Sequence, residues 1–194
     1  MVFVSFHSND FPATAYFAHD ARLNRRERPT LDEALARELM PLTLDAVLRA
    51  QADGAQLLDT RNPVDFAAGH LPGSLNIGLA GRFASWAGTL LTTERPIVIV
   101  ASRGLEETAV TRLGRVGLDN VLGYLDGGLE AVRARAALVR HPTRITSDEL
   151  RARPGTLPII DVRAEAEWAT GVIPGSVNIP LEQVRARLGE IPAN

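Results

Sequence analysis

Two carboxylate–guanidinium pairs stand at matching places in the sequence: Asp59-Thr60-Arg61, inside LLDTRNPVDFAAGHLPGSLNI (Leu57 to Ile77), and Asp161-Val162-Arg163, inside IIDVRAEAEWATGVIPGSVNI (Ile159 to Ile179). An arginine so placed can present its guanidinium to an anionic ligand, or it can bind the neighbouring aspartate and pin the loops at a strand end. The other group with chemical content is the run Ala101-Ser102-Arg103-Gly104-Leu105-Glu106, which follows the apolar stretch PIVIV (Pro96 to Val100). Ser102 has no histidine or lysine within this loop to act as its general base, so it reads as the cap of a helix beginning near Leu105 rather than as a nucleophile. Glu106 and Glu107 then fall in the first helical turn, where carboxylates suit the helix dipole and repel an anion. The chain has no cysteine, which removes disulfides, thiolate metal sites and thiol nucleophiles together. Its four histidines, His7, His19, His70 and His141, are scattered, and neither a metal site nor a cofactor is expected.

The stretches around these groups alternate between helical and extended patterns. TLDAVLRAQADG reads as helix, AQLLDT as a buried strand, PVDFAAG as a short helix and GSLNI as a strand. GRFASWAGTLL is again helical, PIVIV is extended and β-branched, LEETAVTRLGRVG is helical and NVLGYL is a last strand. Strands separated by helices in this order pair in parallel and carry helices on both faces, so the expected fold class is α/β. From Thr146 the cycle restarts: TSDELRARPG answers TLDAVLRAQADG, LPIIDV answers AQLLDT, and PGSVNI follows in phase.

The pattern divides the chain into an N-terminal extension or linker over residues 1–41, a domain over 42–140 and a partial second copy over 143–194. In the extension, Thr30 and Glu33 form a capping box for a short helix from Leu31 to about Leu39, which Pro41 ends. The second copy has a helix around Leu181 to Leu188 but no counterpart of PIVIV. A unit of roughly fifty residues buries little surface, so this copy is expected to leave an unpaired edge and an apolar face that a homodimer would cover.

Composition narrows the function classes. Apolar residues make up 45% and charged residues 23% of the 194 positions, the balance of a soluble globular protein. No apolar run approaches the roughly eighteen residues of a membrane helix, and MVFVSFHSND lacks the basic start of a signal peptide. No membrane association and a cytoplasmic location are therefore expected. The net charge of −2 gives no reason to expect nucleic acid as a partner. The cluster RLNRRER (Arg22 to Arg28) is diluted by Glu27, Asp20, Asp32 and Glu33 and reads as solvated linker.

The Asp59-Thr60-Arg61 strand end, GHLPGSLNI (Gly69 to Ile77) and NVLGYLDGGLEAV (Asn120 to Val132) together resemble the rhodanese (sulfurtransferase) family, over residues 42–134 in full and 143–194 in part. FPATAYFAHDARLNRRERP and GRFASWAGTLL are similar to segments of fusion proteins in which a metallo-β-lactamase-fold domain, of the persulfide dioxygenase type, precedes tandem rhodanese domains. That resemblance implies such a domain, or another sulfur-handling protein, as a partner. Rhodaneses move a sulfane sulfur through a persulfide on a cysteine thiolate, which loop amides at a helix N-terminus stabilise. The resemblance places this cysteine at Ala101, which has no nucleophilic atom, and a helpful arginine near Glu106. It makes Asp59, Arg61 and Arg103 the ligand-binding candidates. Because Asp59 and Arg61 recur as Asp161 and Arg163 while the loop chemistry is absent, we prefer the pinning role for the pair. His70 reads as a turn residue, since Val172 takes its place in the second copy. The expectation is a rhodanese-like parallel sheet followed by a truncated second copy, non-catalytic and with a structural or interaction role. The other reading is a sulfurtransferase or persulfide-metabolising enzyme whose catalytic parts lie outside this chain.

Overall fold

The computed structural model describes residues 38–142, 145–152, 155, 158–184 and 186–191. They fall into two compact units divided after Pro142. The expected Thr30–Glu33 capping box and the Arg22 to Arg28 cluster lie outside the described residues. Among the described residues no helix is long and apolar enough to cross a membrane.

The first unit runs β1 (Pro41–Leu42), α1 (Leu44–Ala52), β2 (Gln56–Asp59), α2 (Pro63–Ala67), β3 (Ser74–Asn76), α3 (Phe83–Leu90), β4 (Ile97–Val100), α4 (Glu106–Gly114) and β5 (Val121–Leu125), followed by a 3-10 segment over Gly128–Leu138. Its strands form one parallel sheet in the order β1-β5-β4-β2-β3. This is the α/β architecture that the alternation predicts. Strand β4 lies centrally, and all four of its residues are buried, as the continuous apolar run of a doubly covered parallel strand requires.

Alternation along the strands sorts side chains to two cores. Leu58, Ile97 and Ile99 pack with Phe83 and Ala87 of α3 and with Ala109, Val110 and Leu113 of α4. Leu57, Val98 and Val100 pack on the opposite face with Leu44 and Val47 of α1 and with Val132. The helices begin where local chemistry starts them. The Thr43 hydroxyl accepts the Ala46 amide at 3.3 Å ahead of α1. The Asn62 side chain accepts the Val64 and Asp65 amides, both at 2.9 Å, ahead of α2, whose Pro63 at the first position has no N–H to satisfy.

One feature departs from the sequence expectation. Pro41 does not simply end a helix: with Leu42 it forms an edge strand against Tyr124 and Leu125, a position where the missing proline N–H is tolerated. Gly123, at φ +148°, makes this possible, because a side chain there would collide with the Met40 carbonyl oxygen. The segment after β5 is a 3-10 segment interrupted at Arg135 (φ −129°, ψ 57°).

The second unit contains α5 (Ser147–Arg151), β6 (Ile160–Asp161), α6 (Glu165–Trp168) and β7 (Val177–Asn178). A capping box opens α5: the Thr146 hydroxyl accepts the Glu149 amide at 3.2 Å while the Glu149 carboxylate accepts the Thr146 amide at 2.6 Å. β6 and β7 pair in parallel, Ile160 with Val177 and Asp161 with Asn178. The helix expected over Leu181 to Leu188 is not found among the described residues. Two 3-10 turns, Leu181–Gln183 and Leu188–Glu190, stand there, neither with a capping side chain, and a single turn without a cap has little to extend it into a helix.

Candidate functional site

The loop from Ala101 to Glu106 leaves the C-terminal end of the central strand, where parallel α/β sheets place their sites. It folds back at once: the Leu105 amide donates to the Ser102 carbonyl at 3.0 Å, and Gly104 adopts φ +84° at the turn. The turn delivers the chain into α4, with Glu106 and Glu107 in the first turn as expected. Leu105, not Ser102, occupies the cap position, and no side chain bonds to the first-turn amides. The expectation that Ser102 caps this helix is therefore corrected, since the intervening turn puts Leu105 at the cap position and leaves the Ser102 hydroxyl off the first-turn amides. Among the described residues, no acceptor takes the amides of Ser102, Arg103 or Gly104.

Ala101 is 4% exposed, and its methyl belongs to the cluster of Ile99, Ala109 and Val110. The Ala101 carbonyl is backed by Gly128 at φ +57°, where an added Cβ would lie 3.1 Å from that oxygen. Arg103 and Gly104 are exposed and Ser102 half-buried. The loop thus offers backbone donors and one guanidinium, but its buried position carries only a methyl group. The sequence contains no lysine, so no amine stands in for the nucleophile or its base.

Asp59 and Arg61 come together at the end of β2. The Arg61 guanidinium donates from Nε to Oδ1 and Oδ2 of Asp59 at 3.0 and 3.2 Å and from Nη2 to Oδ2 at 2.6 Å. Nη2 also donates to the Gly69 carbonyl at 2.8 Å and Nη1 to the Asp65 carbonyl at 3.4 Å. The Asp59 carboxylate receives the Arg61 amide at 3.0 Å as well. Asn76 closes the group from β3, donating to the carbonyls of Asp59 and Arg61 at 3.0 and 2.9 Å. The bonds tie together β2, α2 with the turn after it, and β3. This geometry is that of a pin. It directs the guanidinium at protein oxygens.

His70 sits in the same turn. Its ring stacks on Phe66 with centroids 3.9 Å apart, Nδ1 lies 3.1 Å from the Phe66 carbonyl oxygen, and its backbone pairs with Arg140. No group of three or more potential metal ligands converges among the described residues. The carbonyls of Gly69 and Asp65, which receive Arg61, were not foreseen from sequence, although the Pro-Gly-Ser turn nearby marks where the chain must reverse.

Solved structures resemble parts of the chain. The chain is similar to a rhodanese-like domain from an Anabaena protein, with 21% identity, a TM-score of 0.45 and coverage of 56% of this chain and 86% of that one. It is also similar to reduced CoADR-RHD of Bacillus anthracis, at 17% identity and TM-score 0.43, covering 53% of this chain and 18% of that one. A metallo-beta-lactamase from Staphylococcus aureus matches at 19% identity and TM-score 0.44, over 61% of this chain and 32% of its own. The chain thus spans most of the isolated Anabaena domain and under a third of the two larger proteins. No curated protein matches it. The model of the rhodanese-like domain matches residues 43–135 and again 146–194, more than half of the sequence and both copies of the repeat: the chain belongs to the rhodanese-like domain family.

Proposed function

We propose that this chain is a non-catalytic rhodanese-like module of a cytoplasmic sulfur-handling protein, acting by packing against or binding other protein domains. One observation carries the reading. The position that the family resemblance gives to the persulfide-forming cysteine holds Ala101, whose methyl is buried among core side chains. Sulfur transfer through a persulfide needs a thiolate that attacks the donor and later yields its outer sulfur to an acceptor. A methyl group can do neither, and no cysteine exists elsewhere in the chain. Glu106 and Glu107 at the head of α4 add repulsion for an anionic sulfur donor. The partner we propose is a metallo-β-lactamase-fold domain of the persulfide dioxygenase type, supported by the likeness of the N-terminal segment to such fusions.

The test is an assay of the purified chain with thiosulfate and cyanide, paired with intact mass after incubation with the donor. Thiocyanate formation at the uncatalysed rate and an unchanged mass are expected. Turnover above that rate in a clean preparation, or a sulfur adduct on the chain, overturns the proposal.

A further inference from the structure

Position by position, the first unit shows what lies over the end of β2. Thr60 and Leu71 are 3% and 1% exposed there; the Thr60 amide donates to the Val100 carbonyl of β4 at 2.8 Å, and Leu71 packs with Val98 and Val100. In the second unit the corresponding Val162 and Ile173 are 44% and 45% exposed, and Val172, in the place of His70, is 48% exposed. All three are aliphatic, so the uncovered surface is the more apolar of the two. Together with Ile159, Ile160, Gly171 and the Asp161–Arg163 pair they line an open cavity of about 620 Å³. Exposed aliphatic groups gathered at a strand edge mark a contact surface.

The edge itself says what fits. β6 spends one set of backbone groups on β7: the carbonyls of Ile159, Asp161 and Val162 accept the amides of Val177, Ile179 and Leu181 at 2.9, 3.0 and 3.0 Å. Strand alternation turns the Pro158 carbonyl, both groups of Ile160 and the Val162 amide to the other edge, where none has a partner among the described residues. Read along the chain, this edge is an acceptor, then a donor with an acceptor, then a donor. Turned end for end about Ile160 it is its own complement. The two Ile160 residues exchange both bonds, and each Val162 amide meets a Pro158 carbonyl of the other copy. A strand added in parallel, as β4 is in the first unit, fits less well. There the Gln56 amide donates to the Pro96 carbonyl at 2.7 Å, and Pro158 has no amide proton to give.

We infer that this edge is an interface between two copies of the chain, formed by antiparallel pairing of the two β6 strands about Ile160, with Val162, Val172 and Ile173 buried beside it. The inference goes beyond the proposed absence of catalysis and does not depend on it.

Sedimentation of the full chain across a concentration series tests it, with hydrogen exchange read at Ile160 and Val162. The expected result is a concentration-dependent species of twice the chain's mass, with exchange at those two amides slowing as it forms. Val162→Pro, which removes the donor from both copies, and Val172→Asp, which sets a charge in the apolar patch, are each expected to weaken association by about tenfold or more. Val162→Thr keeps the amide and restores the first unit's residue, and Leu122→Asp alters an exposed residue of the other unit; both are expected to leave the dimer intact. Val172→Asp decides the matter if the proline variant unfolds the unit, because the first unit carries a histidine at that position. A chain that stays monomeric at every concentration, or a dimer indifferent to Val172→Asp, overturns the inference. So does a dimer whose Ile160 and Val162 amides stay fast. Tight binding of a peptide copying Arg95 to Ser102, in place of self-association, would assign the edge to a parallel strand from a different chain and would equally overturn it.

Discussion

The same pin is built twice, and its surroundings differ. In both units the arginine Nη2 lies 2.6 Å from the aspartate Oδ2 and 2.8 Å from a glycine carbonyl, that of Gly69 or Gly171. In both, an asparagine from the next strand donates to the carbonyls on either side, Asn76 in one and Asn178 in the other. Yet the Arg61 and Asp59 side chains are 9% and 0% exposed, against 43% and 11% for Arg163 and Asp161. The geometry is a property of a segment of sequence, reproduced wherever that segment folds. What the pair contributes to stability is set by whatever else packs over it.

That distinction makes the largest prediction. Arg61→Ala leaves the Asp59 carboxylate buried without a counter-charge, and breaking such a pair costs about 3–5 kcal/mol. Hydrogen exchange read separately in the two units should show first-unit protection falling accordingly. The matching Arg163→Ala should lower second-unit protection clearly less, because the Arg163 side chain is 43% exposed and water can take its place. Equal losses in the two units would break the comparison.

A smaller effect sharpens it. Asn76→Ala removes two hydrogen bonds at part-buried carbonyls and should cost about 1–2 kcal/mol in the first unit. In the second, water reaches the Arg163 carbonyl, and Asn178→Ala should cost clearly less in the same exchange measurement. If Asn178→Ala proved the more damaging, the asparagine rather than the ion pair would be the main brace of the second unit.

The smallest expected effect is a response of the second unit to acid. The Arg163 side chain, followed by the Arg163 amide, holds the Asp161 carboxyl below its usual range. The Thr146 amide, followed by the Thr146 hydroxyl, does the same for Glu149. A carboxyl whose pKa is depressed in the folded state adds stability above its unfolded value, near pH 4, and loses it as the pH falls toward the folded value. The second unit should therefore loosen gradually below about pH 4. Trp168 fluorescence in a Trp86→Phe background would follow it, since each unit holds one of the two tryptophans. A signal that instead fell as the pH rose from 5 to 8 would contradict the sign of this linkage.

Much of the architecture was legible because it is local. The run Ile97 to Val100 is apolar at every position and could hardly be anything but a doubly covered strand, and the repeat of Asp-x-Arg with Pro-Gly-Ser-x-Asn announced two related units. β1 was not legible: two residues carry no periodicity, and their strand character exists only because Gly123 lets the backbone of β5 approach. Ser102 was misread because a serine just ahead of a helix is a cap only when its side chain faces the first-turn amides, and the intervening turn puts Leu105 there instead. For Arg61 the recurrence of the pair favoured the brace over the ligand, but its partners beyond Asp59 were not legible, because the carbonyls of Gly69 and Asp65 that receive it are presented by a turn whose path no residue type reveals.

The pin also bears on the order of events during folding. All its bonds join residues between Asp59 and Asn76, whereas β2 meets β4 across some forty positions, from Asp59 to Val100. Short chain closures cost less entropy than long ones and tend to form first. The strand–turn–strand segment carrying Arg61 is thus expected to take shape before the central strand docks, and the arginine keeps the Asp59 charge compensated when the later strand shuts water out. On that view the second unit, with its pin made and its flank open, resembles an early stage in the assembly of the first.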